Sequence, residues 1–281
     1  MVRAKTGGSI IVAARFLHAS SMTVARRGRL SRTIPINGEE HAPPMTANTL
    51  DLRRVIAIDG PAAAGKTTVA RDLAVRLDGM LFDTGALYRS VTLAALRRGI
   101  ATNDGPALTE LARQLSIDLR PASIADGRLV DVRLDGEDVT WAIRTPEVDA
   151  NVSEVSAHPG VRASLLPLQR RIASGQTVVM VGRDIASVVA PDAGVKIFLD
   201  ASVEERARRR AAELRARGLD VSDLEIEAEL MERDRYDSTR ALSPLVAVPD
   251  AIHVNTDGLT IAQVVDRLEG IVRQRWHQLG L

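Results

Sequence analysis

Gly60-Pro61-Ala62-Ala63-Ala64-Gly65-Lys66-Thr67 sets two glycines, a lysine and a hydroxyl at the G-x-x-x-x-G-K-[ST] spacing of a phosphate loop. Glycines let the backbone curl round an anion, so several N–H groups and the start of the next helix face it. Lys66 adds a mobile positive charge for the outer phosphates and is expected to face solvent. Thr67 or Thr68 offers a hydroxyl to Mg²⁺. The flanks fit the context that this motif requires. Arg54–Asp59 reads as a short buried strand, and helix-favouring residues run from Lys66 to Leu77. The chain has three lysines, at positions 5, 66 and 196, so one placed here is unlikely by chance. The loop alone leaves a kinase, a GTPase and an ATPase motor open.

Further clusters have the chemistry to meet phosphate. Asp83-Thr84-Gly85-Ala86-Leu87-Tyr88-Arg89 follows a second apolar run, at the strand end where doubly wound sheets bind ligands. Thr84 there is expected to cap a helix and turn its hydroxyl to the crevice, with Arg89 reaching an anion from inside that helix. Gly182-Arg183-Asp184 ends another strand, where the two charges either serve a ligand or pair with each other. Arg233-Asp234-Arg235-Tyr236-Asp237-Ser238-Thr239-Arg240 packs three arginines and two aspartates into eight residues. Arg206, Arg208, Arg209 and Arg210 form either a solvated face or a lid over phosphates. A kinase acting on a nucleotide brings two polyanions together, and guanidinium, always charged and bidentate, offsets that repulsion. The five histidines lack metal spacing and no nucleophile–base pair is apparent. Phosphoryl transfer requires neither, since positioning and charge stabilisation carry it.

These residues need a scaffold, and 281 residues with 45% hydrophobic content can bury a sizeable core in one or two domains. No apolar run is long enough to span a bilayer. The absence of cysteine excludes disulfides and thiolate chemistry, and fits a reducing, cytoplasmic setting. The formal charge of +1 hides an asymmetry: residues 1–50 carry seven basic side chains against two acidic ones, so the rest is net negative. A nucleic-acid patch covering the domain is therefore not expected. Residues 1–50 lack sustained periodicity. They read as a disordered extension dispensable for catalysis, or as residues upstream of a true start at Met22 or Met45.

Strand-like runs at Arg54–Asp59, Met80–Asp83, Thr177–Val181, Val195–Leu199 and Ala251–Val254 alternate with helical stretches. That rhythm predicts an α/β fold with a parallel sheet covered on both faces. Ser202–Glu205 and Thr260–Gln263 read as capping boxes, and Thr145-Pro146 puts proline at the first helical position. The last helix is expected to bury Ile261, Val264, Val265, Leu268 and Val272. From Ile117 to Val139 the pattern turns strand-like around the Asp135-Gly136 turn, predicting a small antiparallel insert. The charged helix Ser202–Arg217, joined through Gly218 to Asp223–Tyr236, is the second departure from the rhythm.

Together, Ile58–Lys66, Asp83–Arg89, Gly182–Asp184, Lys196–Ala201 and Asp237–Pro244 closely resemble bacterial cytidylate kinases, within the nucleoside monophosphate kinases. The resemblance runs from about Val55 to the C-terminus. It implies a phosphate-loop core at 51–281, a monophosphate-binding insert at about 113–157 and a helical lid at about 205–240. The implied activity is transfer of the γ-phosphoryl group of ATP to CMP or dCMP in pyrimidine nucleotide metabolism, with Mg²⁺, by a cytoplasmic monomer without nucleic-acid or membrane partners. Residue by residue, it implies Lys66 at the donor phosphates and Thr84, Arg89, Arg183 and Arg233 near the acceptor phosphate. Ser153, Arg162 and Asp184 would read the cytosine with Arg240 close by, Asp237 would hold the ribose, and Arg209 and Arg210 would be lid arginines. Two positions depart from the family. Thr67 stands where Gly or Ser is common, which leaves Thr67 and Thr68 as alternative Mg²⁺ ligands, and Ala186 replaces a glycine. A kinase for another small acceptor, such as UMP or shikimate, is the alternative. A GTP-dependent switch is not, because the chain has no Asn-Lys-x-Asp motif.

Overall fold

The computed structural model of the chain describes residues 52–216 and 218–281. The extension expected over residues 1–50 lies outside the described residues. Among them, five parallel strands form one sheet in the order β2 (Met80–Asp83), β6 (Val178–Gly182), β1 (Val55–Asp59), β7 (Val195–Asp200), β8 (Ile252–Asn255). The strands lie within a residue of their expected bounds. β1 is buried along its whole length because both sheet faces are covered. Val55 and Ala57 join one core and Ile56 and Ile58 the other, as the two-residue period of a strand requires.

The Ile56/Ile58 face packs against α1 (Lys66–Arg76) through Val69 and Leu73, and against α8 (Ile261–Gln278) through Val264, Val265, Leu268 and Val272. Ile261 departs from expectation. As the first residue after the Thr260 cap it projects past the sheet and is 50% exposed. The opposite face carries α2 (Gly85–Arg97), α3 (Gly105–Gln114), α4 (Pro146–Ala157) and α5 (Pro159–Ala173). No helix among the described residues is long and apolar enough to cross a membrane.

Between β2 and β6 in sequence lies the antiparallel sheet of β3 (Ile117–Pro121), β4 (Val130–Leu134) and β5 (Glu137–Asp138). Asp135 and Gly136 make its two-residue turn, with φ of 50° and 87°, the left-handed geometry that matches strand twist. After β7 come α6 (Val203–Ala216) and α7 (Asp223–Thr239), an antiparallel pair sealed by Ala207, Ala211 and Leu214 against Ile226 and Leu230. Thr145 and Thr260 cap their helices as expected, Thr260 within a complete capping box. The Ser202–Glu205 box is only half formed. Ser202 Oγ accepts from the Glu205 N–H, but the Glu205 carboxylate turns instead to Arg208 and Arg209. Two guanidiniums attract it more strongly than one neutral N–H.

One buried carboxylate joins the sheet to the site. Asp59, at the end of β1, is 2% exposed and accepts from the N–H groups of Ile185 and Ala186, both at 2.8 Å. Those amides open the short π-helical turn Ile185–Val189 that follows β6. Ala186 is thus a backbone donor to Asp59, with its methyl group buried. Burial pushes the Asp59 carboxyl up to about 6, against the pull of these two hydrogen bonds. The native state therefore holds this proton more tightly than the unfolded chain, and the group's contribution to stability falls as pH rises through that window. Urea unfolding of the wild type and Asp59→Asn will show this. Their difference in unfolding free energy should shrink by about 2 kcal/mol between about pH 4.5 and about pH 7. A difference that stays constant with pH would contradict it.

Candidate active site

The loop after β1 owes its shape to close packing. A Cβ on Gly60 would sit 2.0 Å from the Leu199 carbonyl oxygen of β7, so only glycine lets the chain pass there. Ala63 and Gly65 have φ of 58° and 81°, turning the loop over the N-terminus of α1. The helix pair grips this loop directly. The Ala62 N–H donates to Asp234 Oδ1 at 3.1 Å, Arg206 Nη1 donates to the Ala62 carbonyl at 3.1 Å, and Arg206 pairs with Asp234 at 2.5 Å.

Lys66 corrects an expectation. It is 7% exposed, not solvent-facing, and its Nζ donates to the Pro61 carbonyl at 2.5 Å. Burial, reinforced by Arg183, pushes its ammonium pKa well below the usual lysine range. An added anion next to it would reverse that shift. Thr67 Oγ1 donates to Asp83 Oδ2 at 3.3 Å, so this hydroxyl and this carboxylate form a pair of oxygen donors at the crevice.

Thr84 also departs from its expected role. Asp83 Oδ1 accepts from the Gly85 N–H at 3.0 Å and takes over the cap, while the Thr84 hydroxyl donates to the Val181 carbonyl at 2.9 Å. Thr84 lines the crevice, but its hydroxyl is turned to β6. Arg183 and Asp184 do not pair with each other. Arg183 Nε donates to Asp237 Oδ2 at 3.0 Å, and Asp184 pairs with Arg162.

Three arginines from three helices converge beside the loop. Arg89 of α2 reaches Asp149 Oδ1 at 2.5 Å, Arg210 of α6 reaches Asp149 Oδ2 at 2.7 Å, and Arg233 of α7 lies 3.8 Å from Asp149 Oδ1. Arg233 is pushed down to about 10 by burial and by its neighbours Arg183 and Arg89, and its Nε is buried without a partner among the described residues. Asp149 counters this charge. Burial alone would raise its carboxyl, but Arg89 and Arg210 outweigh that and hold it below the usual carboxylate range.

Further along, Arg162 is locked on several sides. Its Nε donates to Ser243 Oγ and its Nη1 to the Ser156 carbonyl, both at 3.0 Å, and its guanidinium lies 5.2 Å from the Tyr88 ring centroid. Arg240 donates to the Ser243 carbonyl at 2.6 Å and stands 3.8 Å from Asp237. Ser153 sits one turn beyond Asp149 on the same face of α4.

All of the expected site residues except Gly60 and Pro61 line one crevice of about 1590 Å³. Those two shape the loop from behind. The lid arginines separate. Arg210 faces the crevice cluster, whereas Arg209 donates to Glu205 and to the Thr256 hydroxyl and carbonyl at 2.8–3.0 Å, tying α6 to the end of β8. Arg206 anchors the loop, and Arg208 is a largely exposed partner of Glu205. Asp59 and Asp149 were not identified from sequence as part of this arrangement, and Asp234 only as one charge of the Arg233–Arg240 cluster. The one available signal was helical spacing, which sets Asp149 four residues before Ser153.

The sequence matches the cytidylate kinase family over residues 56–274. It is 47% identical over 231 residues to the cytidylate kinase of Solibacter usitatus (strain Ellin6076), covering 82% of this chain and 96% of that one. It is 49% identical over 222 residues to a bifunctional pantoate ligase/cytidylate kinase of Synechococcus sp. (strain WH7803), covering 79% of this chain and 45% of that longer protein. A crystal structure of shikimate kinase from Bacteroides thetaiotaomicron covers 78% of this chain and 98% of its own at 16% identity and a TM-score of 0.38, a likeness too slight to add to the reading. The chain therefore belongs to the cytidylate kinase family.

Proposed function

We propose that this protein transfers the γ-phosphoryl group of ATP to CMP or dCMP, giving ADP and CDP or dCDP. The observation that carries this reading is the composition of the one crevice. A phosphate loop with Lys66 lines it together with Arg89, Arg183, Arg210 and Arg233, and beyond them the Arg162–Asp184 pair. A phosphate-rich donor fits the loop, a second phosphate fits the arginines, and a polar base fits the paired charges.

In this mechanism the loop amides and Lys66 hold the donor phosphates, and Arg89 and Arg233 hold the acceptor phosphate. Arg183 and Arg210 stand between, where negative charge spreads over the transferring group. An oxygen of the acceptor phosphate attacks the γ-phosphorus, the bond to the bridging oxygen breaks, and its electron pair leaves on ADP. The arginines keep the two anions in contact and the crevice limits water, so that transfer outruns hydrolysis. Thr67 and Asp83 are oxygen donors of the hard type that suits Mg²⁺, with Thr68 the alternative hydroxyl. When bound there with the nucleotide, the ion would neutralise part of the phosphate charge.

Cytosine differs from uracil by an amino donor at position 4 and an unprotonated N3. We assign Asp184 to the amine, Arg162 and the Ser153 hydroxyl to N3 and O2, and Asp237 to the ribose. Coupled ADP-release assays with CMP, dCMP, UMP and shikimate will test the reading: CMP or dCMP should be the best acceptor. In the same assay Asp184→Ala, checked for folding by its melting temperature, should narrow the CMP/UMP ratio of kcat/KM by about 10- to 100-fold. An unchanged ratio would show that Asp184 does not read the base.

The split between the lid arginines gives a second test. Arg210→Ala should lower kcat by at least about 100-fold, since a well-placed arginine is worth about 10³–10⁵ in phosphoryl transfer. Arg209→Ala should cost far less in kcat and show mainly as a lower melting temperature, because it breaks the tether of α6 to Thr256. Equal losses of kcat would contradict this division.

A further inference from the structure

Asp149 is a carboxylate shared by three guanidiniums that the proposed mechanism leaves unused. Its two oxygens bond guanidiniums from α2 and α6, at 2.5 and 2.7 Å, with a third guanidinium from α7 at 3.8 Å. Among the described residues, no other acidic side chain forms an ion pair with more than one of these three arginines. The carboxylate is not sealed in. Its side chain is 20% exposed and lines the crevice. Nor does it satisfy the cluster: Glu213 also pairs with Arg210, yet Arg233 Nε stays buried without a hydrogen-bond partner among the described residues.

We propose that Asp149 is a specificity-determining residue, a resident anion that holds Arg89, Arg210 and Arg233 in place of the acceptor's phosphate, so that an anion binds there only by exchange. The inference rests on the acceptor site assigned above. A carboxylate and a phosphate cannot share the same guanidinium faces without like-charge repulsion. A nucleoside monophosphate brings base and ribose contacts that offset the displacement of Asp149, whereas a small inorganic anion brings none. The carboxylate therefore raises the threshold for inorganic phosphate more than it raises that for the nucleotide. It also bridges α4 to α6 before the acceptor arrives, so the arginines are gathered and not splayed by mutual repulsion.

The test compares the wild type with Asp149→Asn, which keeps the shape and removes the charge, and with Asp149→Ser, each checked for an intact thermal transition. Three quantities are read: the Kd of inorganic phosphate by calorimetry, the KM of CMP, and inhibition by cytidine, which has no phosphate. Both variants should bind inorganic phosphate at least about tenfold more tightly, lower the KM of CMP by a smaller factor, and leave cytidine inhibition unchanged. Unchanged or weaker binding of inorganic phosphate in both would overturn the proposal. So would a parallel loss of CMP and cytidine affinity, the mark of a residue that merely braces α4. The calorimetric arm needs no turnover. A wild type inactive on CMP would sink the functional reading, while the phosphate titration would still decide the role of Asp149.

Discussion

The structure is governed by the repulsion among guanidiniums that the site requires. Arg89, Arg183, Arg210 and Arg233 line one crevice, with Arg162 and Arg240 further along it. Neighbouring guanidiniums repel: on top of burial, Arg183 and Arg89 push the Arg233 pKa down, and Arg162 that of Arg240. Carboxylates answer them: the half-buried Asp149 for Arg89, Arg210 and Arg233, and the buried Asp237 and Asp184 for Arg183 and Arg240 and for Arg162. Removing one carboxylate leaves a desolvated cation, a larger loss than the pair itself is worth. The proposed acceptor site is thus an assembly of opposed charges in which each arginine has a carboxylate partner.

The fold supplies the convergence. β1, β2 and β6 are parallel and end at one edge of the sheet, so the phosphate loop, Asp83-Thr84 and Gly182–Asp184 emerge side by side. Asp59 fixes the relative height of two of these by binding the backbone after β6 from the end of β1. The remaining cations come from α6 and α7, beyond the sheet. Arg206 and Asp234 tie that helix pair to Ala62, so loop and helix pair are joined through the phosphate loop itself. A displacement of the helices is therefore felt at the loop backbone proposed to face the donor phosphates.

The sheet was legible because apolar strands and polar crossovers leave a periodic trace, and the Asp135-Gly136 turn marked the antiparallel insert. The phosphate loop was legible because its glycines answer to local geometry. What remained hidden was partner choice. Arg183 and Asp184 are adjacent, yet each binds a residue distant in sequence, because the chain bends there between β6 and the π-helical turn. Thr84 looked like a cap until Asp83 proved better placed for the Gly85 amide. Four arginines within Arg206–Arg210 look alike in sequence but face a loop, solvent, the core edge and the crevice in turn, as helical rotation dictates. Lys66 looked exposed because its burial comes from elements far along the chain. Composition and period report on elements, whereas ion-pair partners depend on tertiary placement.

The central claim is that this one crevice aligns two polyanions. A crystal structure of the protein with CMP and a non-hydrolysable ATP analogue tests it most directly. The account predicts the CMP phosphate within about 2.7–3.2 Å of donors on Arg89, Arg210 and Arg233, with cytosine against Arg162 and Asp184 and the terminal donor phosphate beside Lys66. A CMP phosphate bound away from those arginines, or a cytosine with no contact to Asp184, would contradict it.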